Sequence, residues 1–125
     1  MYNVWMRDFQ PTERLSDFRD ILSRFQSGFP SIIDCEEGWN TLIADCHLEL
    51  KSIDNEYTIA QIKEKFGTLR YYFASSNPSL YKEMCNIVSK YEQKSASICE
   101  VCGKSGKTRN SVTVKTLCDE HAPKS

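Results

Sequence analysis

The chain has 125 residues, 40% of them hydrophobic and 26% charged, with a formal net charge of −1. That length and balance suit one globular domain with at most a small appendage, and they exclude wholesale disorder. No run of eighteen apolar residues exists to span a membrane. The opening MYNVWMRDFQ lacks an apolar run of signal-peptide length, so a cytoplasmic protein is expected.

Charge is uneven along the chain. Residues 1–57 hold five Lys/Arg against eleven Asp/Glu, a net −6; residues 58–93 come to +2 and residues 94–125 to +3. An acidic front and a basic back can steer partners, although small proteins show such fluctuations without function.

In chain order, residues 11–28 predict a helix, with Leu15, Phe18, Ile21, Leu22 and Phe25 forming one apolar stripe and Gly28 and Pro30 ending it. Asp34 followed three residues later by Glu37 has the form of a capping box. The stripe Trp39, Leu42, Ile43, Cys46, Leu50 and Ile53 then predicts a second helix to about Ile53. Residues 58–66 fit a third helix, with Ile59, Ile62 and Phe66 on one side and Gly67 as its stop. Alternation of Leu69, Tyr71 and Phe73 with Arg70 and Tyr72 predicts a strand over 68–74. Asn77-Pro78 opens a last helix, striped by Leu80, Met84, Ile87, Val88 and Tyr91. Beyond Gly103 the tail is polar, and the alternation around Val112 and Val114 predicts a short hairpin. So few apolar groups cannot order such a tail by burial alone.

The cysteines supply what the tail lacks. Cys99 and Cys102 form C-x2-C, Cys118 and His121 form C-x2-H, and fifteen residues lie between the pairs. Three sulfurs and one nitrogen at this spacing suit tetrahedral Zn2+, and bound zinc can replace a core in a segment this small. With no signal peptide, metal binding is favoured over disulfides. Four protein ligands point to a closed, structural site; catalytic zinc keeps a position open. Gly106-Lys107-Thr108 resembles the end of a phosphate-binding loop, but the first glycine of that pattern would fall at Val101, and the expected flanking elements are a helix and a hairpin rather than a strand and a helix.

No catalytic constellation stands out. His47 beside Cys46 diverges from it by about a hundred degrees around a helix, so a surface histidine and a buried thiol are expected; Cys35 and Cys85 are expected as core thiols. Lys63, Lys65 and Arg70 interleave with Tyr71, Tyr72 and Phe73. Such a stretch can bind single-stranded nucleic acid, anchor a protein interface, or simply be a core strand with one basic face.

The ordered landmarks Gly38-Trp39-x-x-Leu42-Ile43, the run from Gln61 to Tyr72, Cys99-x-x-Cys102-Gly103 and Leu117-Cys118-x-x-His121 resemble small bacterial and phage-borne proteins, sometimes found near toxin systems. That resemblance brings no activity and therefore no catalytic residue. The combined expectation is an α+β protein: a mainly helical domain with a short strand over 1–95, and a treble-clef or zinc-ribbon finger over 96–125. Its expected role is that of a non-enzymatic binding module, such as an immunity or inhibitor protein blocking a toxin or host enzyme, with Glu36, Glu37, Lys63, Lys65, Arg70 and Tyr72 as partner contacts. A nucleic-acid-binding regulator is the alternative, and a small hydrolase a distant third.

Overall fold

The computed structural model describes residues 14–110 and 112–123. The opening MYNVWMRDFQ and the first residues of the expected 11–28 helix lie outside them. Within the described residues the first helix, α1, runs Leu15–Ser23 and buries Phe18 and Ile21. It stops short of Gly28 because Phe25 pairs as an isolated bridge with Ile59, and the Gln26 N–H donates to the Ile59 carbonyl. A two-residue strand follows, β1 (Ile33–Asp34), then a 3-10 turn at Glu37–Trp39 and helix α2 (Asn40–Ile53).

The segment expected as a third helix is a strand. β2 spans Thr58–Lys65 and pairs antiparallel with β3, Thr68–Ala74, and parallel with β1, giving a three-stranded sheet in the order β1-β2-β3. A register irregularity between Ile59 and Gln61 explains the misreading. One extra residue there keeps both Ile59 and Ile62 on the buried side although they are three positions apart, which mimics helical spacing. Among the described residues up to Ser95 there are therefore three α-helices and a three-stranded sheet, where helices with one short strand are expected from the sequence.

Asn77 caps the next helix as expected: its Oδ1 accepts the Ser79 N–H at 3.0 Å. A 3-10 turn at Pro78–Leu80 leads into α3, Tyr81–Ser95, which packs on α2 and β3 and buries Met84, Val88 and Tyr91. Two side chains of α3 reach the outer edge of β3. Ser95 Oγ accepts the Leu69 N–H at 2.8 Å and Glu92 Oε2 accepts the Tyr71 N–H at 3.0 Å. The tail carries the expected hairpin, β4 (Lys107–Asn110) with β5 (Val114–Leu117). Val112 is not in a strand; it stands fully exposed in the turn region. Among the described residues no helix is long and apolar enough to cross a membrane.

The turn between β2 and β3 is Phe66-Gly67, with φ of +53° and +85°. Two consecutive left-handed residues make the tight hairpin whose usual occupants are Asn-Gly. A bulky side chain in that region costs roughly 1–2 kcal/mol, and Phe66 remains 68% exposed.

His47 is not a surface residue. It is 1% exposed and lies in a buried chain of polar groups. Its Nε2 is 2.8 Å from Asp20 Oδ2, its Nδ1 is 2.6 Å from the Tyr57 hydroxyl, and that hydroxyl is 2.7 Å from the hydroxyl of Tyr71. A neutral imidazole satisfies the set by donating from Nε2 and accepting from Tyr57 at Nδ1. Burial holds the His47 pKa below its ordinary value despite Asp20, and Arg24 and Lys51 push the same way. The folded pKa thus lies below the unfolded one, near 6.5, and the unfolded chain binds more protons at mildly acidic pH. Stability should fall as pH drops below about 6.5. Urea midpoints should be lower at pH 5.5 than at pH 7.5, with a flatter dependence in His47→Gln. Tyr57→Phe should cost about 1–2 kcal/mol at either pH, because it leaves two buried groups short of a partner.

Candidate metal centre

Cys99, Cys102, Cys118 and His121 come together at the base of the tail hairpin, with all four donor atoms within 4.8 Å of one another. Cys102 Sγ is 3.7 Å from Cys118 Sγ; His121 Nδ1 is 3.8 Å from Cys99 Sγ and 3.2 Å from Cys118 Sγ. A disulfide requires about 2.05 Å between sulfurs, so these are thiols converging on a common centre, and the four can hold a metal ion.

Two short turns create the convergence. After Cys99 the chain reverses through a knuckle in which the Gly103 N–H donates to the Cys99 carbonyl and the Cys99 N–H to the Lys104 carbonyl, at 2.9 and 2.7 Å. Gly103 has φ +82°, a conformation a side chain would strain. After β5 the His121 N–H donates to the Cys118 carbonyl, which folds the second pair back on itself. Burial works against a Cys99 thiolate, but backbone N–H groups of Cys118, Cys102 and Val101 outweigh it and bring the pKa down to about 6. Burial opposes ionisation of Cys118 too, and hydrogen bonds from His121 overcome it. Cys102 moves the other way: the Lys104 N–H lowers its pKa, while burial and the two neighbouring thiols raise it further. A metal cation at their centre would favour the thiolate form of all three.

The glycine-lysine-threonine run lies where a turn should be. Gly106 sits against Cys99 and Leu117 backbone atoms, and Lys107 and Thr108 begin β4, with α3 rather than a strand upstream.

The knuckle is docked on the helical part by contacts that no local sequence signal announces. Asp34 does not cap α2; it belongs to β1. Instead Glu100, inside the C-x2-C turn and 1% exposed, supplies acceptors for the 3-10 turn that leads into α2. Its carbonyl takes the Gly38 N–H at 2.7 Å and its carboxylate takes the Glu36 N–H at 3.0 Å. Trp39, fully buried, donates its indole N–H to the Ile98 carbonyl at 2.8 Å. Gly38 has no room for a side chain: a Cβ there would overlap the Cys99 and Glu100 carbonyl oxygens and lie 2.6 Å from the Glu100 carbonyl carbon. On the other side Thr116 donates its hydroxyl to the Gly67 carbonyl at 2.6 Å, and Lys115 bridges Glu64 at 2.8 Å and Glu100 at 3.4 Å.

The other expected contact residues fall in two places. Glu36 and Glu37 stand on the turn entering α2, Glu36 exposed and Glu37 half-buried. Ile62, Leu69 and Tyr71 face the core, so Lys63, Lys65, Arg70 and Tyr72 share the opposite, outer face of the sheet. Lys63 and Arg70 are directly opposed in register, an unfavourable like-charge pair. Among the described residues none of the three cations meets a carboxylate within ion-pair distance, and Arg70 Nε is buried without a hydrogen-bond partner. The acids of the front half are mostly engaged: Asp17 and Asp45 pair with Arg14, Asp20 with Arg24 and Lys51, Glu49 with Lys90, while Asp54 accepts from Ser75 and Ser76. Cys46 is buried as expected, and Cys35 and Cys85 are half-buried.

Fold and site together define a small α+β protein with a three-cysteine, one-histidine cluster near its C-terminus. No known family model, curated protein or solved structure matches the chain.

Proposed function

We propose that the protein is a non-enzymatic, zinc-stabilised protein-binding module that acts by covering its partner, in the manner of an inhibitor or immunity protein. Zinc is favoured by the donor set and its spacing: a tetrahedron with Zn–S of 2.3 Å and Zn–N of 2.0–2.1 Å has edges of about 3.5–3.8 Å, against 3.2, 3.7 and 3.8 Å for three of the donor pairs and at most 4.8 Å for the others. With four protein donors, the ion's chemistry is cross-linking: it ties the knuckle to the C-terminal turn, and through Glu100 and Trp39 the finger braces α2. The observation that carries the binding role is the outer face of β2 and β3, where Lys63, Lys65 and Arg70 stand together beside an exposed Tyr72, with no carboxylate within ion-pair distance among the described residues. Tyr and Arg are favoured anchors of protein interfaces. Glu36 and Glu37 form a separate acidic rim, and their reversal to Lys should alter the association rate with a charged partner.

The test is retention on immobilised protein from nuclease-treated and untreated lysate of the source cells, comparing wild type with a Lys63→Glu/Arg70→Glu double variant. A stoichiometric protein that survives nuclease and is lost with the double variant supports the reading. Material that disappears on nuclease treatment, with affinity falling steeply in salt, would instead make the basic face a nucleic-acid surface.

A further inference from the structure

We infer that Phe66, at the tip of the β2–β3 hairpin, is the anchor of that interface and inserts into an apolar pocket rimmed by carboxylates on a folded protein partner. The inference rests on the binding-module reading and deepens it.

The argument begins with what Phe66 does not do. A residue in the left-handed region at φ +53° is there against its own backbone preference, and Asn would occupy the same turn with less strain. Burial does not explain the choice, since the ring is 68% exposed. Its ring meets the cation of Lys65, whose Nζ lies 5.6 Å from the ring centroid. Folding therefore gains little from this side chain. Strained positions that survive without a structural return cluster where a protein touches something else.

The surroundings specify the partner's chemistry. Lys65 flanks the turn, and one row further along the sheet Lys63 opposes Arg70. An exposed ring backed by three cations that have no carboxylate within ion-pair distance among the described residues fits an apolar recess with acidic residues around it. Asp34, exposed and in register with Lys63 on β1, makes this face mixed in charge rather than uniformly basic, which suits a protein surface better than a polyanion. The tip is also rigidly held. The Gly67 carbonyl accepts from Thr116, and the Gly67 N–H donates to Glu64 Oε2 at 2.7 Å. An anchor fixed in place loses little entropy on binding.

The experiment places p-benzoylphenylalanine at position 66 of the full chain and, as a control, at the exposed Leu48 on α2. Both are irradiated in lysate of the source cells. The expected result is a protein adduct at 66 and not at 48, resistant to nuclease, with the cross-linked peptide apolar and flanked by Asp or Glu. Unlabelled wild type should compete for the adduct, and Phe66→Asn should compete at least tenfold less well. The same Phe66→Asn variant should melt about 4 °C higher than wild type, because it relieves the turn. No adduct at 66, equal adducts at both positions, a nucleic-acid adduct, a cross-linked peptide without acidic residues, or undiminished competition by Phe66→Asn would each overturn the inference. A lower Tm for Phe66→Asn would also overturn it, by showing that the ring serves the fold. If Lys63→Glu/Arg70→Glu abolishes competition while Phe66→Asn does not, the tip inference fails and the binding face stands; if neither variant matters, both fail.

Discussion

Chelation of zinc, or Cys118→Ala, should release the tail as a unit and lower the stability of the whole protein by on the order of 4 kcal/mol or more. The tail owns almost no core: its buried apolar cluster is Cys99, Leu117 and Cys118, two of them proposed ligands. Structural zinc contributes about 10–16 kcal/mol in isolated finger peptides, and with zinc in the proposed site part of that would pass to the rest of the chain. Trp39 is the reporter, read in a Trp5→Phe background because the chain has two tryptophans. Its indole N–H bonds to Ile98 at the root of the finger, so loss of the finger should expose the ring and red-shift its fluorescence. Metal analysis should give about one zinc per chain, falling to near zero in Cys118→Ala. A metal-free wild type that keeps its Trp39 signal and resists chelator would remove zinc from the account.

Gly38→Ala should separate docking from metal binding. The atoms nearest the new methyl are backbone atoms of Cys99 and Glu100, not a donor sulfur or nitrogen, so zinc content should stay at about one per chain. The added methyl would nevertheless meet backbone carbonyls of Cys99 and Glu100, which cannot swing aside as a side chain could. Either the knuckle or the start of α2 must move, and the bonds from Gly38 and Glu36 to Glu100 are lost or weakened with it. The expected loss is about 3 kcal/mol in urea unfolding, from overpacking together with a forfeited hydrogen bond. The same red shift at Trp39 should appear with zinc still bound. Wild-type stability in Gly38→Ala would mean that the finger does not brace the helix.

What could be read from the sequence followed from how local each signal was. The four cluster residues are two short motifs closed by tight turns, so spacing alone identified them. The start of α3 was legible because Asn77 and Pro78 act within one turn. The start of α2 was not, since the turn leading into it is held by Glu100, more than sixty positions away, and the apparent capping box at Asp34 gave way to strand pairing with Lys63. β2 was misread because a single irregularity after Ile59 converts an alternating pattern into one that matches a helix, and because Phe66, counted as a stripe residue, belongs to a turn. His47 was placed at the surface for want of any local clue; its partners Asp20, Tyr57 and Tyr71 come from three other segments. The charge asymmetry was plain in the sequence, but which acids remain free depended on ion pairs that only the fold creates.

The hydrogen bonds from Leu69 and Tyr71 to side chains of α3 have a consequence for how the molecule can associate. An open strand margin is a template on which another chain can build, and proteins that leave one bare risk ribbon-like growth at high concentration. Here Ser95 and Glu92 occupy donors that such growth would need on one side of the sheet. On the other side β1 offers only two residues. The sheet is thus closed to lateral extension, and contact with other molecules is left to its broad face and to its tips.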